Sequence, residues 1–370
     1  MPFFRFTDLE IAGIASAVPR NEVSVDSYIP RFGETTVKKF KKMTGIEKAR
    51  IAGAHQTAAD LGFSAADHLL NNMNIKRDRV GVLNFVSHSP DYRRPATACV
   101  LQHRLGLSKE CAALDISLGC SAFVYGLQSV CSALVSSDAE YGLLIVGETV
   151  SKMTNPGDRA TAMVFGDAGG AALISRKQGA IINGLLRSDG SGFRAIIAPA
   201  GGFRNRYADD QEMAWSDGNK RTLFNLHMNG NDVFNFTISD VPRAIQDFWA
   251  RSETSVDDYD RYILHQANQF IHKQLARKLA IPPEKMPLSL DRYGNTSAAS
   301  IPLTLSDCYQ DREAGIERVL MCGFGVGLSW GVVSADIDLA SVLPVVVTDD
   351  YFAEGLINGP EDMINRGSPK

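Results

Sequence analysis

The chain has 370 residues, 45% of them hydrophobic and 22% charged, with 32 glycines, which is long and apolar enough for two similar domains around a large core. A formal net charge of −4 argues against general nucleic-acid binding, and no apolar run is long enough to cross a membrane. The start Met1-Pro2-Phe3-Phe4-Arg5 lacks the basic-then-apolar layout of a secretion signal, and Cys99, Cys111, Cys120, Cys131, Cys308 and Cys322 lack the paired short spacings of a zinc site or a disulfide framework. A cytoplasmic protein with reduced thiols and no metal is therefore expected.

In chain order, residues 57–73 read as a helix, Val80–Val86 as a strand, residues 96–105 as a helix, residues 112–118 as an apolar strand, and residues 121–135 as an almost uncharged helix. Strand signals follow at residues 141–146 and 170–174. This β/α alternation predicts sheets covered by helices. The second half repeats the theme more loosely, with helices over residues 230–249, 266–279 and 298–309, a short strand at residues 262–264, and a closing strand pair at residues 318–323 and 328–337. From Leu339 the pattern weakens into an apolar stretch with a proline break and then an acidic tail, which either packs on a surface or stays mobile.

Three residues at ends of elements carry candidate chemistry. Cys120 ends the strand-like run after Gly119 and precedes the uncharged helix, so the helix dipole and unpaired N–H groups would stabilise a thiolate there. A lone cysteine in an apolar setting is otherwise an ordinary core residue. His265 stands where a strand breaks into a helix, and Asn295 in a glycine-opened loop that runs into a small-residue helix. Alone, the first would be a hydrogen-bonded core histidine and the second a turn or cap residue. Gly323 to Gly327 would be a tight turn, without the spacing of a dinucleotide or phosphate loop.

Taken together these residues resemble the β-ketoacyl-acyl-carrier-protein synthase III (KAS III) family of the thiolase-like superfamily. The resemblance runs over roughly residues 8–338. It rests on Thr44-Gly45-Ile46 with Arg50-Ile51, residues 115–120, Asp158-Arg159, Phe165-Gly166-Asp167, His265-Gln266-Ala267-Asn268, and the glycine-bounded segments 294–300 and 323–331. It implies a five-layer αβαβα fold of two duplicated halves, residues 1–180 and 181–338, followed by an extension over residues 339–370, and a homodimer. It also implies a decarboxylative condensation of an acyl thioester with malonyl-acyl-carrier protein. Cys120 would hold the acyl group, the backbone N–H groups of Cys120 and Val326 would form the oxyanion hole, and His265 and Asn295 would bind the malonyl thioester carbonyl. CoA or carrier thioesters would be the substrates and no cofactor is implied. Two other functions fit the same scaffold. One is transfer of the acyl group from Cys120 to an amine or hydroxyl; the other is a non-catalytic partner subunit of a condensing complex.

Several positions depart from the family pattern. Lys39 and Met43 stand where a tryptophan and an arginine usually clamp the CoA adenine, so that clamp is expected to be absent, although Arg159 could still meet a nucleotide or phosphate. The run Lys38, Lys39, Lys41 and Lys42 suits an acidic carrier protein; it equally suits a solvated helix face. Arg94 occupies a position where the family places a bulky apolar residue reaching the partner subunit's acyl pocket, and it would read a polar or carboxylated acyl group. Asn231 matches a contact to the pantetheine arm, or else a helix cap, and Asn268 joins it as a substrate-binding residue. On the helix after the histidine motif, Lys273, Arg277 and Lys278 match carrier-docking positions, while Phe270 replaces a common arginine.

Overall fold

The computed structural model describes residues 3–310 and 314–363. Its first half contains β1 (Phe3–Pro19), α1 (Glu34–Thr44), α2 (Ala58–Asn72), β2 (Val80–Val86), α3 (Thr97–Arg104), β3 (Ala112–Ile116), α4 (Ala122–Val135), β4 (Tyr141–Glu148) and β5 (Ala168–Ser188). The second half contains α5 (Gly230–Ser252), β6 (Arg261–Leu264), α6 (Gln269–Leu279), α7 (Ser300–Tyr309), β7 (Ile316–Gly325) and β8 (Ser329–Asp338), and β9 (Val346–Thr348) follows.

The strands order as β6-β7-β8-β5-β4-β2-β3, with β1 beside β5 and β9 beside β1. Strand β5 serves both halves: its first part pairs with β4 and its last part with β8. The two halves repeat one pattern, a parallel pair followed by an antiparallel partner, as β2-β4-β5 and as β6-β7-β8. Helices α4 and α7 pack between the two sheet portions, α2 and α3 cover the outer face of the first, and α5 with α6 cover the second. These are the five layers that the resemblance implies. Three apolar clusters fill the spaces, the central one around Phe123, Leu127, Ile301 and Leu305, and the outer ones around Leu69 with Phe85 and around Phe248 with Leu275.

Local chemistry sets the element ends. Thr57 and Asp60 form a reciprocal capping box that starts α2. Asp115, inside the family-like segment, accepts the N–H groups of Thr97 and Ala98 at 2.7 Å each and so caps α3 from a neighbouring strand. Within residues 339–363 the chain packs on a surface. Strand β9 runs parallel to β1 with Ala17 opposite Val346, Gln56 donates to the carbonyls of Thr348 and Asp350, and Tyr92 donates to the carbonyl of Gly355. Arg104 sits between the rings of Phe63 and Phe352 and pairs with buried Asp60. The remainder of the acidic tail, residues 364–370, lies outside the described residues.

Candidate active site

Cys120 lies one residue before Ser121, the N-cap of α4, and the turn into the helix is closed by a 2.7 Å bond from Ala122 N–H to the Gly119 carbonyl. The Ser121 hydroxyl meets that of Ser329 at 2.7 Å, and Ser329 donates to the Val326 carbonyl at 2.7 Å, which ties the cysteine turn to the turn between β7 and β8. Gly325 is required at this junction. A Cβ there would fall 2.6 Å from Cys120 Cβ and 2.9 Å from its sulfur. The N–H groups of Cys120 and Val326, the expected oxyanion donors, both lie near Cys120 Sγ, where they favour its thiolate.

The thiol itself differs from the sequence expectation. Burial pushes it above its ordinary value, and the Ser297 hydroxyl, 3.6 Å from Sγ, together with those two N–H groups offsets only part of that rise. The resting Cys120 side chain is thus a protonated thiol, because a buried thiolate loses more hydration than these neighbouring donors return. Alkylation of Cys120 by iodoacetamide, followed by peptide mass spectrometry, is expected to keep accelerating above about pH 9; a plateau below about pH 8 would contradict this.

His265 follows β6 and is buried, with its ring nearly perpendicular to that of Phe324 and the two centroids 5.3 Å apart. Burial lowers its pKa to about 3, so the imidazole is neutral at working pH. Nδ1 lies 2.8 Å from Ser300 Oγ at the start of α7. Ser300 Oγ also lies 2.9 Å from the Ser297 carbonyl, to which it donates in one orientation; only when it turns to donate to Nδ1 does the ring's single proton sit on Nε2, available to a ligand. A second histidine, His272 on α6, donates from Nε2 to the His265 carbonyl at 3.0 Å and fixes the backbone of the break.

Asn295 has an amide orientation set by its surroundings. Its side-chain oxygen accepts the Ser297 N–H at 2.9 Å, and its backbone bridges to Val164 and Gly166 beside Phe165. Only the NH₂ remains for a ligand. Asp167, from the neighbouring family-like segment, accepts N–H groups from Ala52 and Ser151, so its role is to join loops.

Cys120, His265, Asn295 and Val326 line one cavity of about 710 Å³, together with Arg159, Asn231 and Asn268. Asn268 spends its side-chain oxygen capping α6, on Ile271 N–H at 2.8 Å, and keeps its NH₂. Asn231 is not the cap of α5; Asn229 does that work, accepting from Asn231 and Asp232. Met43 lines the rim while Lys39 does not, and Phe270 on the rim stacks on Phe234. Arg94 is exposed and does not line this protomer's cavity. Lys39 and Lys42 are exposed on α1, whereas Lys38 and Lys41 are engaged with Glu34 and with Asp26 and Glu47. Lys273, Arg277 and Lys278 are exposed on α6, and Lys278 donates to the Ile238 carbonyl.

Sequence reasoning missed Ser297, Ser300, Phe324, His88 and Glu148. The last two carry a faint signal, since each is a polar residue at the end of an apolar strand run. It also missed a buried ion pair next to Arg159 in the chain: Arg221, fully buried, binds Asp158 and Asp217 and stacks near Trp215. Arg159 follows Asp158 directly, and its N–H is accepted by Asn219 from the same hairpin.

A thiolase-like five-layer fold that buries a helix-capped cysteine beside a histidine and an asparagine defines an acyl-transferring enzyme of the condensing class. Residues 114–190 match the family model for 3-oxoacyl-[acyl-carrier-protein] synthase III, and residues 249–337 match the model for its C-terminal part. The β-ketoacyl-[acyl-carrier-protein] synthase III of Streptococcus pyogenes is 33% identical over 326 residues, covering 87% of this chain and 97% of that protein. The crystal structure of a 3-oxoacyl-(acyl-carrier protein) synthase from Burkholderia xenovorans superposes with a TM-score of 0.87 at 36% identity, covering 94% of this chain and 99% of that one. The synthase III from Pseudomonas aeruginosa gives 0.76 at 28% identity, over 92% and 100%. The chain belongs to the β-ketoacyl-acyl-carrier-protein synthase III family.

Proposed function

We propose that this enzyme joins an acyl group held on Cys120 to a malonyl thioester on an acyl carrier protein, with loss of carbon dioxide. The Cys120 thiol attacks the carbonyl carbon of an acyl-CoA or acyl-carrier thioester. The oxyanion that develops is met by the N–H groups of Cys120 and Val326, and the departing thiol carries off the proton. The malonyl thioester then enters from the same rim, where Arg159, Asn231 and Asn268 would hold its pantetheine arm. Its thioester oxygen accepts from Asn295 Nδ2 and His265 Nε2. The bond to the carboxylate breaks, its electrons pass into the enolate, and the carbanion attacks the acyl carbonyl. Collapse of that adduct gives the 3-oxoacyl thioester and frees Cys120, which regains a proton from solvent. Each step uses this chain's donors and the thioester, so no cofactor is called for.

The observation that carries this reading is the orientation of Asn295. Its oxygen is occupied by Ser297 N–H, so it presents only a donor beside a neutral histidine, as a developing enolate requires. Transfer to an amine or hydroxyl needs no pair of enolate donors, and a silent subunit needs none of the three residues. Pairing of two copies is supported by the free edge of β3, where Leu114 is 53% exposed. Arg94 would then be carried toward the partner's cavity, and the exposed Lys39, Lys42, Lys273, Arg277 and Lys278 would meet an acidic carrier.

Intact-mass measurement after incubation with acyl-CoA and acyl-carrier donors tests the reading. An adduct of the acyl mass is expected on the wild-type protein, absent from Cys120→Ala, and discharged when malonyl-carrier protein is added. Equal loading of wild type and Cys120→Ala would overturn it.

A further inference from the structure

The cavity has two unlike sides. Toward solvent its rim is built by exposed Met43, Arg159, Asn231 and Phe270. On the inner side three neighbouring parallel strands, β3, β2 and β4, end side by side and deliver Cys120, His88 and Glu148 into the same cavity. A thioester that enters past the rim and reaches Cys120 therefore points its acyl chain toward His88 and Glu148.

That inner side is polar and built. Glu148 is 1% exposed, and its carboxyl accepts the His88 backbone N–H at 2.8 Å and contacts the Ser89 hydroxyl at 2.5 Å. The His88 ring lies directly against the nucleophile turn, because a Cβ on Gly119 would fall 2.9 Å from its Nδ1. Ser117 holds a proton on this ring through its carbonyl, so the other ring nitrogen is an acceptor. Burial pushes Glu148 up to about 8, helped by the nearby Cys120 and Asp167. At neutral pH it is chiefly a neutral acid that accepts the Ser89 hydroxyl and the His88 N–H, which leaves its own proton to be donated.

We propose that His88, as acceptor, and Glu148, as donor, form a hydrogen-bonding floor of the acyl subsite, and that the acyl donor is a short chain bearing a hydroxyl group. The inference rests on the acyl-Cys120 reading above. A plain hydrocarbon chain would strip water from both groups and return nothing. A hydroxyl supplies a proton to His88 and a lone pair to Glu148.

The test compares donors of matched shape by the rate of Cys120 acylation, read as intact mass: 3-hydroxybutyryl-CoA against isovaleryl-CoA, and 4-hydroxybutyryl-CoA against pentanoyl-CoA. At least one hydroxylated member is expected to load about tenfold faster or more than its methyl counterpart, since a site built for a hydroxyl rejects the analogue that lacks it. His88→Val is expected to bring that ratio to unity or below, and His88→Asn, which keeps an acceptor, to preserve part of it. Glu148→Gln provides a second probe should His88→Val fail to fold, and it is expected to shrink the ratio. Equal or faster loading of both methyl members by the wild type, or an unchanged ratio in these variants, overturns the floor. Absence of loading by every donor overturns the acyl-enzyme reading, and the floor with it.

Discussion

His265→Ala and Asn295→Ala are each expected to load Cys120 within about threefold of the wild-type rate while condensation falls about 10²- to 10³-fold, the usual cost of one oxyanion donor. The separation follows from geometry. Acyl transfer to Cys120 uses the N–H groups of Cys120 and Val326, and neither depends on the two side chains. Decarboxylation depends on both, because the enolate oxygen needs donors that are in place before charge develops. Asn295→Asp sharpens the argument. The aspartate can still accept Ser297 N–H at the position where Asn295 does so at 2.9 Å, so the loop is preserved, but it presents an acceptor to the enolate and is expected to be no better than alanine. The double alanine variant is expected to cost less than the product of the single losses, since the two donors serve one oxygen. His265 is already neutral down to about pH 3, so its titration gives no inflection in the condensation rate between about pH 5 and 8. Release of carbon dioxide from malonyl-carrier protein, measured beside acyl-enzyme mass, separates the outcomes. Parallel loss of both activities would place the two side chains in acylation instead.

Much of this site was legible in the sequence because its three central residues sit at element ends inside distinctive local patterns. Cys120 follows an apolar strand and precedes a helix with no charge from Ala122 to Val135, and the structure shows that helix wedged between two sheet portions. What was lost lies where local pattern and tertiary contact part company. Strand β5 continues from the expected residues 170–174 to Ser188 through an exposed stretch around Arg176 and Lys177, whose charge reads as a break although β1 pairs across it. Arg221 stands next to Lys220 in a polar insertion and reads as surface, yet it is fully buried against Asp158 and Asp217. Ser300, His88 and Glu148 acquire meaning only from partners 35 and 60 residues away. The raised thiol of Cys120 was invisible for the same reason. Helix polarity can be read from neighbouring residues, whereas desolvation depends on everything that closes over the sulfur.

Glu148→Gln is expected to make the protein more stable than wild type at pH 8, with little difference at pH 5. Burial raises the Glu148 carboxyl from an ordinary 4.5 to about 8 in the folded state, so between those values the unfolded chain has released a proton that the folded chain still holds. Stability then falls as pH rises, by roughly 1.4 kcal/mol per unit, and across this window the loss is on the order of 4 kcal/mol. Glutamine keeps the shape, accepts the His88 N–H through its oxygen and never ionises, so the penalty disappears. Denaturant unfolding of both proteins at about pH 5, 6.5 and 8 is expected to show the advantage of the variant growing with pH and levelling off above about pH 8. A constant difference would mean that Glu148 is ionised in the folded protein throughout. The buried carboxyl is thus a standing cost on the fold at the pH where it stays neutral, and it lies on the wall of the cavity that holds Cys120. A leucine at that position would avoid the cost but leave the His88 N–H and the Ser89 hydroxyl without the acceptor that the carboxyl now gives them.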